Sequence, residues 1–348
     1  MRKFLIFTIM ALVSCTPGRA PFKAEFVTGV FGPAFGQNAA TGLSGHFSFV
    51  SDGLLVVGGG CNFPGDPFAP SARKTFYGDV YVRDGVWKKA GELPGPLAYA
   101  CTALFGGGVM LIGGSGPDGL SDKVFRLALK DGELVISDCP SLPMGLDQAA
   151  ACTLGDRVFV AGGNDDVGAS SHVLCFEDGR WDFFAEIPEA LVQPVACATE
   201  EALFVFGGFN PSLSPKDAVS HGWRLEFASS KWTRIPYPSD SLTFTGSAGV
   251  MVDGRYLVFA GGVNRSVFNG EVNSPDPGYL LRPVEAYRFN PVLYCFDTRN
   301  QGWSELDSDR IYALAGASAA ADGHHIMIAG GELKPRVRTP QVVDIQLK

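Results

Sequence analysis

Short apolar runs that end in a pair of glycines recur six times along this chain. Each run has four apolar residues, and the glycine pairs lie at positions 58–59, 113–114, 162–163, 207–208, 261–262 and 330–331. The first glycines of successive pairs are 55, 49, 45, 54 and 69 residues apart, so the period is near 50. A short apolar run bounded by glycine is typical of a buried β-strand. The period indicates a repeat architecture in which each repeat is one small sheet.

Each repeat also contains the other strands of a four-stranded sheet. A strand of small residues precedes each glycine pair, and a strand of alternating residues follows it. A fourth strand opens near a tryptophan in four repeats, at Trp87, Trp181, Trp232 and Trp303. A large aromatic side chain there would bury apolar area between neighbouring sheets. We therefore predict an all-β fold, a six-bladed β-propeller of the kelch type.

The number of strands predicts how the ring of blades closes. Six first, second and third strands are present, but only five fourth strands follow them, and the chain stops just after a third strand. The segment 22–28 precedes the first blade and can supply the missing strand to the last one. Such closure also removes exposed sheet edges. We predict one propeller domain at 22–348, after a signal peptide at 1–14 and a linker at 15–21.

The N-terminus has the pattern of an export signal. Arg2 and Lys3 precede an apolar stretch at 4–13 that is too short to span a bilayer. The stretch ends in LVSC, which resembles the cleavage box of bacterial lipoproteins, with lipid attached to Cys15. We expect an exported lipoprotein, periplasmic or associated with the outer membrane, that contacts the membrane only through this anchor. An ordinary secretory signal that contains a cysteine is the alternative.

Charge and cysteine usage narrow the range of partners. The formal net charge of −8 disfavours a nucleic-acid partner, so an anionic small molecule would need local basic residues. Seven cysteines remain besides Cys15, an odd number that cannot all pair within the chain. Cys101, Cys152 and Cys197 recur at one position of the repeat, which suggests small core residues. Since no Cys/His metal spacing occurs, we expect no metal site.

The last glycine pair leads into the most distinctive charged segment of the chain. Residues 331–339 read GELKPRVRT, and none of the other five pairs is followed by a carboxylate and so many bases. Pro335 argues against a helix, so Lys334, Arg336 and Arg338 are expected on one side of an extended segment. A carboxylate beside a basic cluster suits an anionic substrate that must lose a proton. A solvated loop with an ion pair is the alternative.

Loop lengths favour the interpretation of this segment as a site. In an up-and-down blade, the loop between the second and third strands emerges on the same face as the connections between blades. This loop is long in blade five, at 263–292, and longer than usual in blade one, at 60–78. Both blades neighbour blade six, which carries Glu332 and Arg338. Long loops in compact folds are often lids or binding loops.

The chain resembles the bacterial N-acetylneuraminate (sialic acid) epimerases, or mutarotases, which are six-bladed kelch propellers. The motifs that carry the resemblance are GELKPRVRT at 331–339, GGVN at 261–264, FNG at 268–270 and GEL at 91–93. The resemblance covers essentially the whole mature chain, but in permuted order, because blades that come last in the better-known members come first here.

The resemblance implies a role for two residues of the charged segment. Glu332 takes the position of the family's proton acceptor, and Arg338 that of an arginine required for activity. The family usually has glycine where this chain has Arg336. That departure could alter the loop conformation or add a second base that binds the substrate.

The implied reaction fits the chemistry of these residues. Anomer exchange in a sialic acid requires ring opening at the anomeric carbon, which also bears the carboxylate. Glu332 would take the anomeric hydroxyl proton, and Arg338 would bind the carboxylate through its planar fork. No cofactor or metal is required. Four residues on the same predicted face are candidates for binding hydroxyls or the acetamido group, although each suits a loop cap equally well: Gln148, Gln193, Asn264 and Tyr312.

Two other functions fit the sequence. One is a lipoprotein that presents a glycan- or protein-binding surface without catalysis, because kelch propellers are often interaction scaffolds. A pure scaffold would not need Glu332 and Arg338. The other is mutarotation of a different acidic or N-acetylated sugar, which the sequence does not separate from sialic acid.

Overall fold

The structure is a computed structural model that describes residues 20–348. Six four-stranded antiparallel sheets form the blades of a propeller, which confirms the predicted all-β fold. The signal peptide and Cys15 lie outside the described residues. No helix within 20–348 is long and apolar enough to cross a membrane.

In blades one to five, the four strands pair in chain order across the sheet. Blade one contains Phe47–Ser51, Leu54–Gly58, Asp79–Asp84 and Val86–Glu92. Blade two contains Cys101–Phe105, Gly108–Ile112, Val124–Lys130 and Glu133–Cys139. Blade three contains Ala150–Leu154, Arg157–Ala161, His172–Glu177 and Arg180–Glu186. Blade four contains Val192–Ala198, Ala202–Phe209, His221–Glu226 and Lys231–Pro236, and blade five contains Ser247–Val252, Tyr256–Gly261, Val292–Asp297 and Gly302–Ser308.

Blade six combines the two ends of the described chain. Its first three strands are Ser318–Asp322, His325–Ala329 and Gln341–Leu347, and its outer strand is Ala24–Val30. The outer strand pairs antiparallel with the third strand along its whole length. The closure is as predicted, but the strand starts two residues later than the segment 22–28. Phe22 precedes the strand and packs edge-on against Tyr256, with ring centroids 5.1 Å apart.

The remaining elements are short and lie between the strands. The α-helices are α1 (Gly36–Ala39) and α2 (Arg265–Asn273), and the 3-10 helices are Pro33–Phe35, Tyr279–Leu281, Val284–Tyr287 and Arg310–Tyr312. Four two-stranded ribbons extend the loops between second and third strands. They pair Cys61–Asn62 with Thr75–Phe76, Ser115–Gly116 with Gly119–Leu120, Asn164–Asp165 with Gly168–Ala169, and Glu332–Lys334 with Val337–Arg338.

The apolar core is divided among the interfaces between blades. Six buried clusters each join two neighbouring blades, and the cluster of blades five and six contains Val258 and Ile328, for example. Three tryptophans of the fourth strands also link their blade to the preceding one. The indole nitrogens of Trp87, Trp181 and Trp303 donate to backbone carbonyls at 3.1, 2.9 and 3.0 Å. These tryptophans therefore contribute to the contacts between neighbouring blades, as the sequence predicted.

The cysteines of the described chain are unpaired thiols. Cys101, Cys152 and Cys197 lie on first strands, beside the propeller axis. Burial raises the pKa of the Cys101 thiol to about 12. The pKa of Cys197 is also raised well above its ordinary value by burial. These thiols fit the small-residue packing around the axis that the sequence suggested.

Six backbone hydrogen bonds close a ring around the axis at one end of the propeller. The ring residues lie at or near the start of the first strand of each blade, at Gly45, Tyr99, Gln148, Gln193, Gly246 and Gly316. Each amide donates to the carbonyl of the ring residue in the preceding blade, with N···O distances from 2.6 to 3.4 Å. All six have φ between 52° and 69°. This left-handed backbone is uncommon for residues other than glycine and concentrates at functional sites.

Candidate active site

The charged segment of blade six forms a hairpin rather than one extended run. Glu332 lies directly opposite Arg338 in the ribbon, and Lys334 lies opposite Val337. Pro335 and Arg336 form the turn between them, and Arg336 has a φ of 70°. A turn with proline first and a positive φ second is the type II pattern, which normally takes glycine second. This position therefore favours glycine, and Arg336 adopts the left-handed backbone in its place.

This turn corrects the expectation that the three bases share one side. The Lys334 ammonium donates to the carbonyls of Leu280 and Arg282 in the long blade-five loop, at 3.1 and 2.8 Å. The Arg336 guanidinium instead reaches the blade-one loop, and Arg338 faces Glu332. Proline ends the extended backbone after Lys334, so the bases diverge.

Glu332 and Arg338 form a largely buried ion pair. A guanidinium nitrogen of Arg338 lies 2.8 Å from Oε1 of Glu332, and the two side chains are 4% and 23% exposed, respectively. The Ser44 hydroxyl donates to the same oxygen at 3.4 Å. Burial raises the pKa of Glu332 above its ordinary value, while the positive charge of Arg338 and the bond from Ser44 oppose that rise. Arg338 thus favours the ionised form that a base requires.

Glu332 opens onto a cavity of about 560 Å³ above the ring of backbone hydrogen bonds. Tyr99, Gln148 and Gln193, the three ring residues other than glycine, also line it. The side-chain amide of Gln193 donates to Oε1 of Gln148 at 2.7 Å. This volume is within the range of small-molecule sites, and the lining mixes apolar walls with a few polar groups. The cavity has the size and chemistry for one sugar.

The long loop of blade five covers one side of the cavity, and we call residues 263–291 the lid. Helix α2 of the lid is fixed to the neighbouring blade-four loop, because Asn269 accepts from the Ala218 amide at 2.9 Å and Arg265 pairs with Asp217 at 2.6 Å. Phe268, Glu271 and Tyr279 of the lid line the cavity. The two hydrogen bonds from Lys334 join the other end of the lid to blade six.

The blade-one loop, residues 63–74, covers the other side. The Arg336 guanidinium donates to the Pro67 carbonyl at 3.2 Å and lies 5.3 Å from the centre of the Phe63 ring. Arg338 lies on the same ring at 5.6 Å, and the Lys334 ammonium lies 4.7 Å from the centre of the Phe68 ring. Cations at these distances are attracted to the ring faces. The bases of blade six therefore hold both long loops over the cavity.

Two residues that the sequence did not single out meet at the cavity wall beneath the blade-one loop. The Lys74 ammonium donates to the Tyr99 hydroxyl at 3.1 Å and lies 5.0 Å from the centre of that ring. The Cys61 thiol donates to the same hydroxyl at 3.2 Å. Burial, and next the neighbouring thiol, raise the pKa of Tyr99, so the phenol stays protonated. A repeat alignment could have found Tyr99, since it occupies the position of Gln148 and Gln193.

Three of the residues considered for substrate binding, Arg336, Asn264 and Tyr312, lie away from the cavity wall. The Asn264 side chain accepts from the Val267 amide at 3.1 Å and caps the N-terminus of α2. Tyr312 is 1% exposed in the apolar seam between blades five and six. Neither lines the cavity, whereas Gln148 and Gln193 do. Their burial and capping contacts correct the expectation that all four share the open face.

Arg338 also does not line the cavity, although the sequence assigned it to the substrate carboxylate. Its Nε and Nη1 atoms are buried without a hydrogen-bond partner among residues 20–348, so the 2.8 Å contact of Nη1 with Glu332 is an ion pair only. Within the same residues, no group of three or more His, Cys, Asp or Glu side chains is placed to hold a metal ion. The site presents protein acid–base groups and hydrogen-bonding side chains.

Comparisons with known proteins agree with this architecture. The solved structure of YjhT superimposes with a TM-score of 0.60 at 16% identity, and covers 88% of this chain and 97% of that one, which establishes the fold alone. The N-acetylneuraminate epimerase of Pasteurella multocida (strain Pm70) is 27% identical over 217 residues, and that of Haemophilus influenzae (strain 86-028NP) is 27% identical over 219. Each match covers 58% of this chain and 57% of the relative, so the chain spans little more than half of their length. Because residues 139–348 match the family model NANM, N-acetylneuraminate epimerase, the chain belongs to that family.

Proposed function

We propose that this protein is a mutarotase that interconverts the α and β anomers of N-acetylneuraminate by acid–base catalysis without a cofactor. The observation that supports the proposal most directly is a carboxylate, Glu332, held by Arg338 at the wall of a sugar-sized cavity. The choice of N-acetylneuraminate as substrate is supported by the names of the relatives, which identify the substrate of the family.

The chemistry needs one base and one acid. The base takes the proton of the anomeric hydroxyl, the bond from the anomeric carbon to the ring oxygen breaks, and the ring oxygen receives a proton. The open-chain keto acid then rotates about the bond to its carbonyl carbon and closes on the opposite face, with the two proton transfers reversed. No oxidation or group transfer occurs. Positioned proton transfer contributes about 10²–10⁴-fold, which suffices for a reaction that already proceeds in water.

Glu332 suits the role of base because its environment balances two effects. Burial makes the carboxylate a stronger base than a solvated one, and Arg338 keeps it ionised. Arg338 acts through Glu332 and is a positioning residue in this scheme. Gln148 and Gln193 then offer amide groups to hydroxyls or to the acetamido group from the far side of the cavity.

The test is direct observation of anomer exchange by NMR. The α anomer of N-acetylneuraminate, freshly released from a glycoside, should equilibrate faster in proportion to protein concentration. Glucuronic acid and N-acetylglucosamine serve as comparison substrates, because the first keeps a carboxylate and the second keeps the acetamido group. Equal acceleration of all three would show that the substrate specificity extends to acidic and N-acetylated sugars in general. Binding of sialic acid without acceleration would make the protein a glycan-binding module.

We also propose that the protein is an exported lipoprotein anchored at Cys15. The support is the LVSC pattern after a short apolar stretch. The first strand begins at Ala24, so a segment of a few residues separates that cysteine from the propeller.

A further inference from the structure

A cation on the cavity wall has no role in the scheme so far. Of the described residues that line the cavity, Lys74 is the only lysine or arginine. Glu332, Asp147 and Glu271 also line it, so the wall carries more negative than positive groups. An anionic sugar needs a local positive charge to enter such a site. The position of Lys74 therefore bears on where the substrate carboxylate binds.

We propose that Lys74 and the Tyr99 hydroxyl bind the carboxylate of the substrate, an inference that rests on the proposed function of the same cavity. The Lys74 ammonium has three donors, and one of them is used by the Tyr99 hydroxyl at 3.1 Å. That hydroxyl accepts from both Lys74 and Cys61, which fills its two lone pairs. Its own proton is left to donate. The free ammonium donors of Lys74 and this hydroxyl proton can each pair with an oxygen of a carboxylate.

Arg338 is the rival for this role, and its geometry argues against it. The guanidinium is 4% exposed, does not line the cavity and already lies 2.8 Å from the Glu332 carboxylate. A substrate carboxylate on Arg338 would displace Glu332 or lie beside it, and two carboxylates in one partly buried site repel each other. Binding at Lys74 leaves the Glu332–Arg338 pair intact. The base and the anchor are then separate groups.

The arrangement also orients the substrate. The anomeric carbon carries both the carboxylate and the reactive hydroxyl, so the anchor fixes the distance from that hydroxyl to the base. Lys74 and Tyr99 come from blade one and from the connection to blade two, whereas Glu332 comes from blade six. Ser44 joins the two sides, because its hydroxyl donates to Glu332 and its backbone pairs with that of Cys61, with N···O distances of 3.0 and 2.9 Å.

The test compares N-acetylneuraminate with its methyl ester, which keeps the anomeric hydroxyl and loses the charge. Lys74→Met should raise the KM for the acid about tenfold to 100-fold, the range for losing a hydrogen bond to a charged group. Its kcat should change less than its KM. The ester should bind the parent and Lys74→Met equally, within about twofold. Lys74→Arg should recover part of the preference for the acid, because it restores the charge with different geometry.

The matched control is Arg73→Met, which removes an equal charge from the neighbouring residue of the same loop. Arg73 is exposed and does not line the cavity, so it should leave the ratio of acid to ester unchanged. An equal loss of acid and ester in Lys74→Met, or an unchanged KM for the acid, would overturn the inference. Direct titration of both ligands separates it from the proposed function. If the parent protein prefers the acid over the ester through Lys74 but does not exchange anomers, the binding role of Lys74 stands and the proposed mutarotase activity is refuted. If the parent protein binds neither ligand, both proposals are refuted.

Discussion

Arg338 lies directly across the ribbon from Glu332 and holds a guanidinium nitrogen 2.8 Å from its carboxylate. The hairpin sets this relationship, because the two-residue turn at Pro335 and Arg336 brings the positions into register. A six-residue separation in sequence becomes one ion pair in the structure. The pair makes the charge on Arg338 part of the acid–base behaviour of Glu332.

Removal of that charge should change the pH dependence of activity. The proposed base Glu332 must be ionised to act, so we expect activity to fall as the pH drops through its pKa. Burial raises this pKa and Arg338 lowers it, so Arg338→Gln should move the acid limb of the profile to higher pH. Arg338→Lys should move it less, because the charge remains. A profile of kcat/KM against pH checks this, and an unchanged acid limb in Arg338→Gln would contradict the positioning role.

Arg336→Gly tests the tether to the blade-one loop. The substitution removes a left-handed backbone strain of about 1 kcal/mol, and it also removes the hydrogen bond to the Pro67 carbonyl and the contact with Phe63. We expect little change in the melting temperature but faster cleavage by trypsin after Arg73 and Lys74, which are exposed in that loop. Arg288→Gly, at a left-handed position of the lid, is the matched control. Cleavage at the parent rate in Arg336→Gly would show that the loop does not depend on this tether.

Asn264 offers a test that separates a helix cap from a substrate ligand. Asn264→Ala should destabilise α2 by about 0.5–2 kcal/mol, because the Val267 amide loses its acceptor. Asn264→Asp keeps a capping oxygen and should retain both the helix and the activity. Hydrogen exchange of Arg265–Asn273 and the KM for substrate are the measurements. A large rise of KM in Asn264→Asp, with α2 still protected from exchange, would assign the side chain to the substrate instead.

The lipid anchor predicts a specific change in fractionation. Cys15→Ala should release the protein from membranes or leave the precursor unprocessed, because the acylated residue is missing. Mass spectrometry of the wild-type N-terminus should show a diacylglycerol on Cys15. A mature chain that begins beyond Cys15 and carries no lipid would refute the anchor and support an ordinary secretory signal.

The architecture could be predicted from the sequence because the same pattern of strands and glycine pairs recurs in every blade. Six glycine pairs predicted six blades. Only five of those blades have a fourth strand that follows in sequence, so the N-terminal segment was expected to supply the sixth, as Ala24–Val30 does. The two-residue error at the start of that strand arose because Phe22 is as apolar as the strand but packs on Tyr256 outside it. The permuted order of blades relative to other members of the family stays a prediction.

The candidate site was only partly readable from sequence. Glu332 and Arg338 stand out by their motif, but the direction of each base depends on a turn that forms only where Pro335 and Arg336 adopt their particular backbone. Lys74 carries no pattern of its own and reaches the cavity through the path of a long loop. Tyr312 has the right position along the chain, but the seam between two blades buries it. Tertiary packing therefore decided which polar side chains line the cavity.

The proposed mutarotase depends on Glu332 as the base for anomer exchange. The most direct test is the exchange rate of N-acetylneuraminate by NMR for the parent, Glu332→Gln and the control Glu133→Gln, which changes an exposed glutamate of blade two in the same way. We expect Glu332→Gln to lower the catalysed rate by about 100-fold or more while largely keeping binding of the sugar. Glu133→Gln should exchange anomers at the parent rate. Exchange at the parent rate in a folded Glu332→Gln protein would contradict this role of Glu332.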